Sequence, residues 1–93
     1  MTPADLMQLT ALREEIELLD ATLVDTIARR MTLAKEIRVV KQRAGQPVLD
    51  PAREAAVVAR ASARARTAGL PEDEIRALYW KLMALARRVQ VES

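Results

Sequence analysis

The fold is decided by residues 6–43, LMQLTALREEIELLDATLVDTIARRMTLAKEIRVVKQR, a stretch that contains neither glycine nor proline. Apolar side chains recur in it at spacings of three and four, as they do along one face of a helix. These positions are Leu9, Leu12, Ile16, Leu19, Leu23, Ile27, Ala34 and Ile37. The pattern predicts a single long helix over about residues 5–43.

The predicted first helix is too long for a compact domain of this size. It would measure roughly 57 Å, whereas a globule built from this chain would be about 30 Å across. The rest of the chain cannot cover the whole apolar stripe, so we expect a second copy to do so, most simply through a two-fold axis. The sequence therefore predicts an intertwined homodimer. The alternative is a kink that folds the helix into a hairpin.

Two turn signals divide the rest of the chain. The first is Ala44-Gly45-Gln46-Pro47, and we expect a loop over residues 44–50. Asp50 before Pro51 is a favourable N-cap followed by proline at the first helical position, which predicts a second helix over about residues 51–67 that stops at Gly69.

The second turn signal, Ala68-Gly69-Leu70-Pro71, opens a third helix over about residues 71–91. Its expected apolar stripe consists of Ile75, Leu78, Leu82, Leu85 and Val89. The predicted fold class is all-α, with one domain over residues 1–93 built from one long and two shorter helices.

The composition excludes several kinds of chemistry. The 93 residues include no cysteine and no histidine, so a disulfide framework, a thiolate or imidazole nucleophile, the usual zinc sites and a Ser-His-Asp triad are ruled out. Catalysis would have to use carboxylates, Lys, Arg, amides and hydroxyls, and we expect no metal.

The lack of cysteine, of a signal-peptide pattern at the N-terminus and of a long apolar run predicts a soluble, cytoplasmic protein with no membrane contact.

The charge balance gives little support for nucleic-acid binding. Lys and Arg number 15 against 13 Asp and Glu, a net charge of only +2. A basic helical dimer that binds nucleic acid or protein stays open as an alternative, and it predicts strongly salt-dependent binding. Only Tyr79 and Trp80 offer aromatic surface for stacking, and we assign both to the core side or margin of the third helix.

Three cations fall on the apolar stripe of the first helix or at its edge. Arg30 lies seven residues from Leu23 and from Ile37, Lys41 points in nearly the same direction three turns later, and Arg13 lies on the margin. One interpretation is that these side chains reach solvent or pair with Glu15, Asp20 or Glu54. The other is an inward-facing cationic pocket for an anion, walled by facing helices.

Other segments supply polar groups that could join such a pocket. They are Asp50, Arg53 and Glu54 at the start of the second helix and Gln90 near the end of the third. Arg87 and Arg88, at the end of the third helix, are instead explained by a solvated face and by the helix dipole.

Together these residues resemble the all-helical (AroQ-type) chorismate mutases. The resemblance rests on Leu12-Arg13-Glu14-Glu15-Ile16 with Leu19-Asp20, on Ala28-Arg29-Arg30-Met31, on Lys41, and on Asp50 with Arg53-Glu54, and it covers essentially the whole chain. It implies an intertwined homodimer whose two active sites are each built from both chains. Such enzymes convert chorismate to prephenate without a cofactor.

The resemblance also implies a role for each candidate residue. Arg13 from the partner chain and Arg30 would bind carboxylates of the substrate, and Lys41 would contact the ether oxygen and a carboxylate. Gln90 would face the same ether oxygen from the other side. Glu54 with the backbone near Asp50 would hold the ring hydroxyl, and Arg53 would support the ring carboxylate.

One position departs from the family pattern. Ala86 stands where well-known members have a serine near the ring carboxylate. Enzymes of the same fold act as isochorismate pyruvate lyases or on an amino analogue of chorismate, so these two activities stay open beside chorismate mutase.

Overall fold

The fold is known from a computed structural model, which describes residues 1–92; Ser93, the last residue of the predicted domain, lies outside them. It contains three helices: α1 over Pro3–Arg43, α2 over Pro51–Ala68 and α3 over Glu72–Glu92. Residues 1–92 include no strand. The predicted all-α fold class with three helices is confirmed. Helix α1 is continuous over its whole length, so the hairpin alternative is wrong.

The N-terminus of α1 is capped by two reciprocal hydrogen bonds. The backbone N–H of Asp5 donates to Oγ1 of Thr2 (3.1 Å), and the backbone N–H of Thr2 donates to Oδ2 of Asp5 (3.0 Å). This arrangement satisfies two amide groups that a helix start leaves unpaired. The backbone bond from Thr2 also lowers the pKa of the Asp5 carboxyl.

Both ends of α2 follow the sequence prediction. The Asp50 side chain accepts a hydrogen bond from the backbone N–H of Arg53 (3.0 Å), and Pro51 is the first helical residue. Gly69 has φ +74°, a left-handed conformation that closes the helix while the N–H of Leu70 donates to the carbonyl of Ala65 (2.8 Å). The predicted N-cap and C-terminal stop are confirmed.

The chain forms two compact units. The first covers Met1–Arg30 and therefore consists of the N-terminal part of α1 with the residues before it. Its apolar side chains are largely exposed: Leu19 is 67% and Leu23 is 59% accessible to solvent. The apolar stripe predicted for this part of α1 thus has little cover in the structure of one chain.

The second unit begins at Met31 and contains the end of α1, the loop, α2 and α3. Helices α2 and α3 pack against each other. Buried apolar side chains in this unit are small or flexible: Ala34, Val58, Ala61, Ala65 and Met83. The core of the second unit is correspondingly modest.

The apolar stripe predicted for α3 needs a correction. Leu78 and Leu85 are exposed, whereas Met83, which the prediction left out, is buried. Trp80 is also exposed, so its assignment to the core side or margin is wrong for the single chain.

A polar cluster joins α2 to the start of α3. The buried Ser62 donates from Oγ to Oε1 of Glu72 (3.2 Å) and accepts a hydrogen bond from Arg76 (2.7 Å). Arg66 also donates to Oε1 of Glu72 (3.1 Å), and Arg76 pairs with Asp73. The Arg66 hydrogen bond lowers the pKa of the Glu72 carboxyl. This cluster fixes the α2–α3 turn.

Within residues 1–92, no helix combines the length and the apolar character needed to cross a bilayer.

Candidate active site

The end of α1 holds a half-buried lysine over the following loop. The ammonium of Lys41 donates to the backbone carbonyl of Val48 (3.1 Å), and both residues are half-buried. The loop reaches the lysine because the chain turns back at once after α1, where Gly45 has φ +68° and the N–H of Gln46 donates to the carbonyl of Lys41 (2.8 Å). The ammonium therefore lies against the loop rather than in open solvent.

An amide from α3 meets the same part of α1. Nε2 of Gln90 donates to the backbone carbonyl of Ala34 (3.1 Å), the one buried residue among those described in α1. Ala34 and Lys41 are seven residues apart, so they lie on nearly the same side of α1, about 10 Å apart along its axis. The Gln90 NH₂ group has a second hydrogen for another acceptor.

Glu54 in the first turn of α2 faces α3. Its side chain is only 17% exposed, and Oε2 lies 3.6 Å from Nε of Arg87. The sequence interpretation placed Arg87 on a solvated face at the end of α3; the residue is exposed, but it also contacts α2 through this ion pair. Helix α3 continues to Glu92, so Arg87 is not in its last turn. The sequence feature that could have indicated this contact is the spacing of three between Arg87 and Gln90, which puts both residues on neighbouring positions of one helix face.

Arg88 lies on a solvated face, as the sequence interpretation expected, but it is not in the last turn of α3 either. It is 72% exposed and lies 3.8 Å from the carboxylate of Glu92, four residues later on the same helix. The two adjacent arginines therefore have different surroundings: Arg87 reaches α2, and Arg88 stays on the surface of α3.

Asp50 and Arg53 precede Glu54 at the start of α2. The Asp50 carboxylate is used as the N-cap, and its backbone carbonyl accepts from the N–H of Glu54 (3.1 Å). Arg53 is exposed. Ala86 is half-buried and lies one turn before Gln90, so at that position α3 has no polar side-chain atom.

The remaining two predicted site residues belong to the first unit. Arg13 is exposed and Arg30 is half-buried. The other six lie in the second unit. Lys41 and the carbonyl that Gln90 contacts lie on one side of α1. Gln90 and Ala86 are on α3, and Arg87 of the same helix pairs with Glu54, which follows Asp50 and Arg53 in the chain.

The second unit thus offers hydrogen-bond donors of two kinds beside α1 and a carboxylate at the start of α2. An ammonium and an amide can bind an anionic or ether oxygen, and a shielded carboxylate can accept from a hydroxyl. Over residues 1–92 there is no cluster of three carboxylates able to hold a metal ion. The arrangement is suited to binding and polarising a small oxygen-rich substrate.

Comparison with known proteins shows which family the chain is similar to. The model of the family described as Chorismate mutase type II matches residues 12–91. The chain is 38% identical over 76 residues to T-protein from Enterobacter agglomerans, which covers 82% of the chain and 20% of that protein. It is 37% identical over 83 residues to 4-amino-4-deoxychorismate mutase from Streptomyces venezuelae, which covers 89% of the chain and 81% of that protein.

The chain therefore spans about a fifth of the length of T-protein. No solved structure shows significant similarity to the chain.

Proposed function

The chain belongs to the chorismate mutase type II family, and we propose that it converts chorismate to prephenate without a cofactor. The reaction is a concerted rearrangement in which a C–O bond breaks while a C–C bond forms. It needs no nucleophile, metal or redox centre, which suits a chain without histidine or cysteine. The protein has to fold the dianionic substrate into its reactive conformer and stabilise negative charge at the ether oxygen.

The observation that best supports this proposal is the pair of donors along one side of α1. Lys41 and Gln90 each donate to a backbone carbonyl there, at Val48 and Ala34. In the proposed complex the Lys41 ammonium shifts toward the ether oxygen and a carboxylate. Gln90 uses its second N–H on the same ether oxygen while Ala34 keeps the amide oriented.

The carboxylates of the substrate require further cations. We assign this role to Arg30 and to Arg13 of a partner chain, with Arg53 supporting the ring carboxylate. Glu54 and the backbone near Asp50 would hold the ring hydroxyl. The low exposure of Glu54 supports this role, because a shielded carboxylate binds a hydroxyl more strongly than one in water.

A homodimer is part of the same proposal. The exposed Leu19 and Leu23 of the first unit form part of an apolar stripe that a second copy of α1 would bury. Contiguous apolar surface of this kind is typical of interaction sites. Two chains in a symmetric dimer would each supply Arg13 to the partner's site, and residues 1–93 of each chain would act as one domain.

The absence of cysteine is consistent with a reducing compartment such as the cytoplasm.

The test is the loss of chorismate absorbance with identification of prephenate as the product. We predict that Lys41→Ala lowers kcat by about 10²- to 10³-fold, equivalent to about 2.7–4 kcal/mol, because it removes a donor at the developing negative charge. Helicity should be preserved, since the lysine side chain contributes one hydrogen bond, to the Val48 carbonyl, which water can replace. Arg88→Ala, which removes an exposed cation on α3, serves as the matched control. Turnover by Lys41→Ala close to that of the wild type would contradict the proposal.

A second candidate substrate is supported by one comparison. The relative from Streptomyces venezuelae is named 4-amino-4-deoxychorismate mutase, and the match covers most of both chains. Ala86, which stands where the resemblance leads one to expect a serine, leaves room for a different substrate. Assays of chorismate, isochorismate and 4-amino-4-deoxychorismate side by side distinguish the candidates, with pyruvate release marking a lyase.

A further inference from the structure

The ion pair between α2 and α3 bears on the choice between these substrates. Nε of Arg87 lies 3.6 Å from Oε2 of Glu54, and the arginine is 45% exposed whereas the glutamate is 17% exposed. We propose that Arg87 is a specificity-determining positioning residue that makes the site prefer a hydroxyl over an ammonium group at the ring position facing Glu54. This inference rests on the proposed function.

The preference follows from the charge that a substrate group would meet. A carboxylate paired on one oxygen with a guanidinium still has lone pairs on the other oxygen, so it can accept a hydrogen bond from a neutral hydroxyl. An ammonium would gain less, because the guanidinium cancels part of the carboxylate charge and repels the second cation. A lone carboxylate would favour the ammonium instead.

The position of Arg87 confines this effect to the substrate group that faces Glu54. Arg87 precedes Gln90 by three residues on α3, so the guanidinium comes from the same helix face as the amide proposed to contact the ether oxygen. Its neighbour Arg88 pairs with Glu92 on the surface of α3. The two arginines have the same charge and adjacent places, but only Arg87 reaches Glu54.

The experiment compares kcat/KM for chorismate and for 4-amino-4-deoxychorismate in the wild type, Arg87→Gln, Arg87→Lys and Arg88→Gln. We expect the wild type to prefer chorismate and Arg87→Gln to shift the ratio toward the amino substrate by about fivefold, the effect of a partly exposed ion pair. The shift should fall mainly on KM. Arg87→Lys should restore much of the wild-type ratio, and Arg88→Gln should leave it unchanged.

A second readout uses the titration of the substrate amine. As the pH rises and the amine loses its proton, the wild type should discriminate less against the amino substrate. Arg87→Gln should change in the opposite direction and lose part of its gain for that substrate, because its unpaired Glu54 carboxylate favours the ammonium form. Thermal unfolding followed by circular dichroism verifies that the variants are folded.

The outcomes separate this inference from the proposed function. An equal loss of kcat/KM for both substrates in Arg87→Gln would reveal a purely structural role and overturn the inference alone. A wild type that prefers the amino substrate would also overturn it. Failure of the wild type to convert either substrate would overturn the proposed function and this inference with it.

Discussion

At the scale of single residues, Gln90 shows how backbone contacts can prepare a donor. Its Nε2 atom donates to the carbonyl of Ala34, and the amide is thereby held with the NH₂ group toward α1. The two hydrogens of that group allow it to keep this bond and still donate to a substrate oxygen. A carboxylate at the same place has no hydrogen to donate unless it is protonated.

We therefore predict a new pH dependence for Gln90→Glu. At pH 7.5 activity should fall by about 10²-fold, because one donor at the ether oxygen is lost. The carbonyl of Ala34 should disfavour the charged form and raise the pKa of the new carboxyl above its ordinary value of about 4.3. Activity should then recover as the pH falls through that raised pKa.

Gln90→Ala serves as the control for this variant, measured as kcat across the pH range. It removes the donor without adding a titratable group, so its activity should not recover in acid. Identical pH profiles for Gln90→Glu and Gln90→Ala would show that position 90 does not donate to the reacting oxygen.

At the scale of helices, the α2–α3 turn depends on the charge of Glu72. The hydrogen bond from Arg66 lowers the pKa of Glu72 below its ordinary value of 4.5. A group whose pKa is lower in the folded state stabilises that state above its unfolded pKa, and this contribution is lost as the pH falls through the folded pKa. The turn should accordingly weaken in acid.

The corresponding prediction concerns Glu72→Gln. Its free energy of unfolding should be lower than that of the wild type at pH 7, and the difference should shrink as the pH falls below 4.5 and Glu72 becomes protonated. Urea unfolding at a fixed protein concentration measures both quantities. Glu74→Gln makes the same charge change in the first turn of α3 and should lose less stability at pH 7. A pH-independent difference between wild type and Glu72→Gln would be inconsistent with this role.

Local sequence signals predicted the helices well but predicted contacts between them poorly. Gly69 and the Asp50–Pro51 pair determine the ends of α2 through conformation and capping, which depend on a few neighbouring residues. The Ser62–Glu72 bond and the burial of Met83 rather than Leu78 depend on how α2 and α3 pack. Periodicity alone does not specify which apolar residues of a helix meet a neighbour.

The same distinction applies to the candidate site. Lys41, Glu54 and Gln90 were chosen as candidates from helical positions and from the family resemblance, and in the second unit each makes a polar contact. Their roles stay predictions. The carbonyls of Val48 and Ala34 were not predictable, because backbone acceptors leave no mark in the sequence. The Arg87 partner of Glu54 was missed because its charge was also compatible with a solvated helix face.

At the scale of the whole molecule, the proposed active site requires two chains. The apolar side chains of the first unit, Leu19 and Leu23 among them, are exposed in a single chain, and Arg13 is proposed to act in the partner's site. A symmetric dimer would bury the stripe and complete both sites. Each active site would then combine Arg13 of one chain with Lys41 and Gln90 of the other.

The most direct test of this shared-site claim is to refold Arg13→Ala and Lys41→Ala together and to assay chorismate conversion. Half of the dimers should be mixed, and each mixed dimer should contain one intact site, so we predict about a quarter of the wild-type activity. Lys41→Ala refolded with Gln90→Ala is the control and should give no recovery, because both groups come from the same chain. Recovery to about a quarter would support the account, whereas activity no higher than that of the separate variants would contradict it.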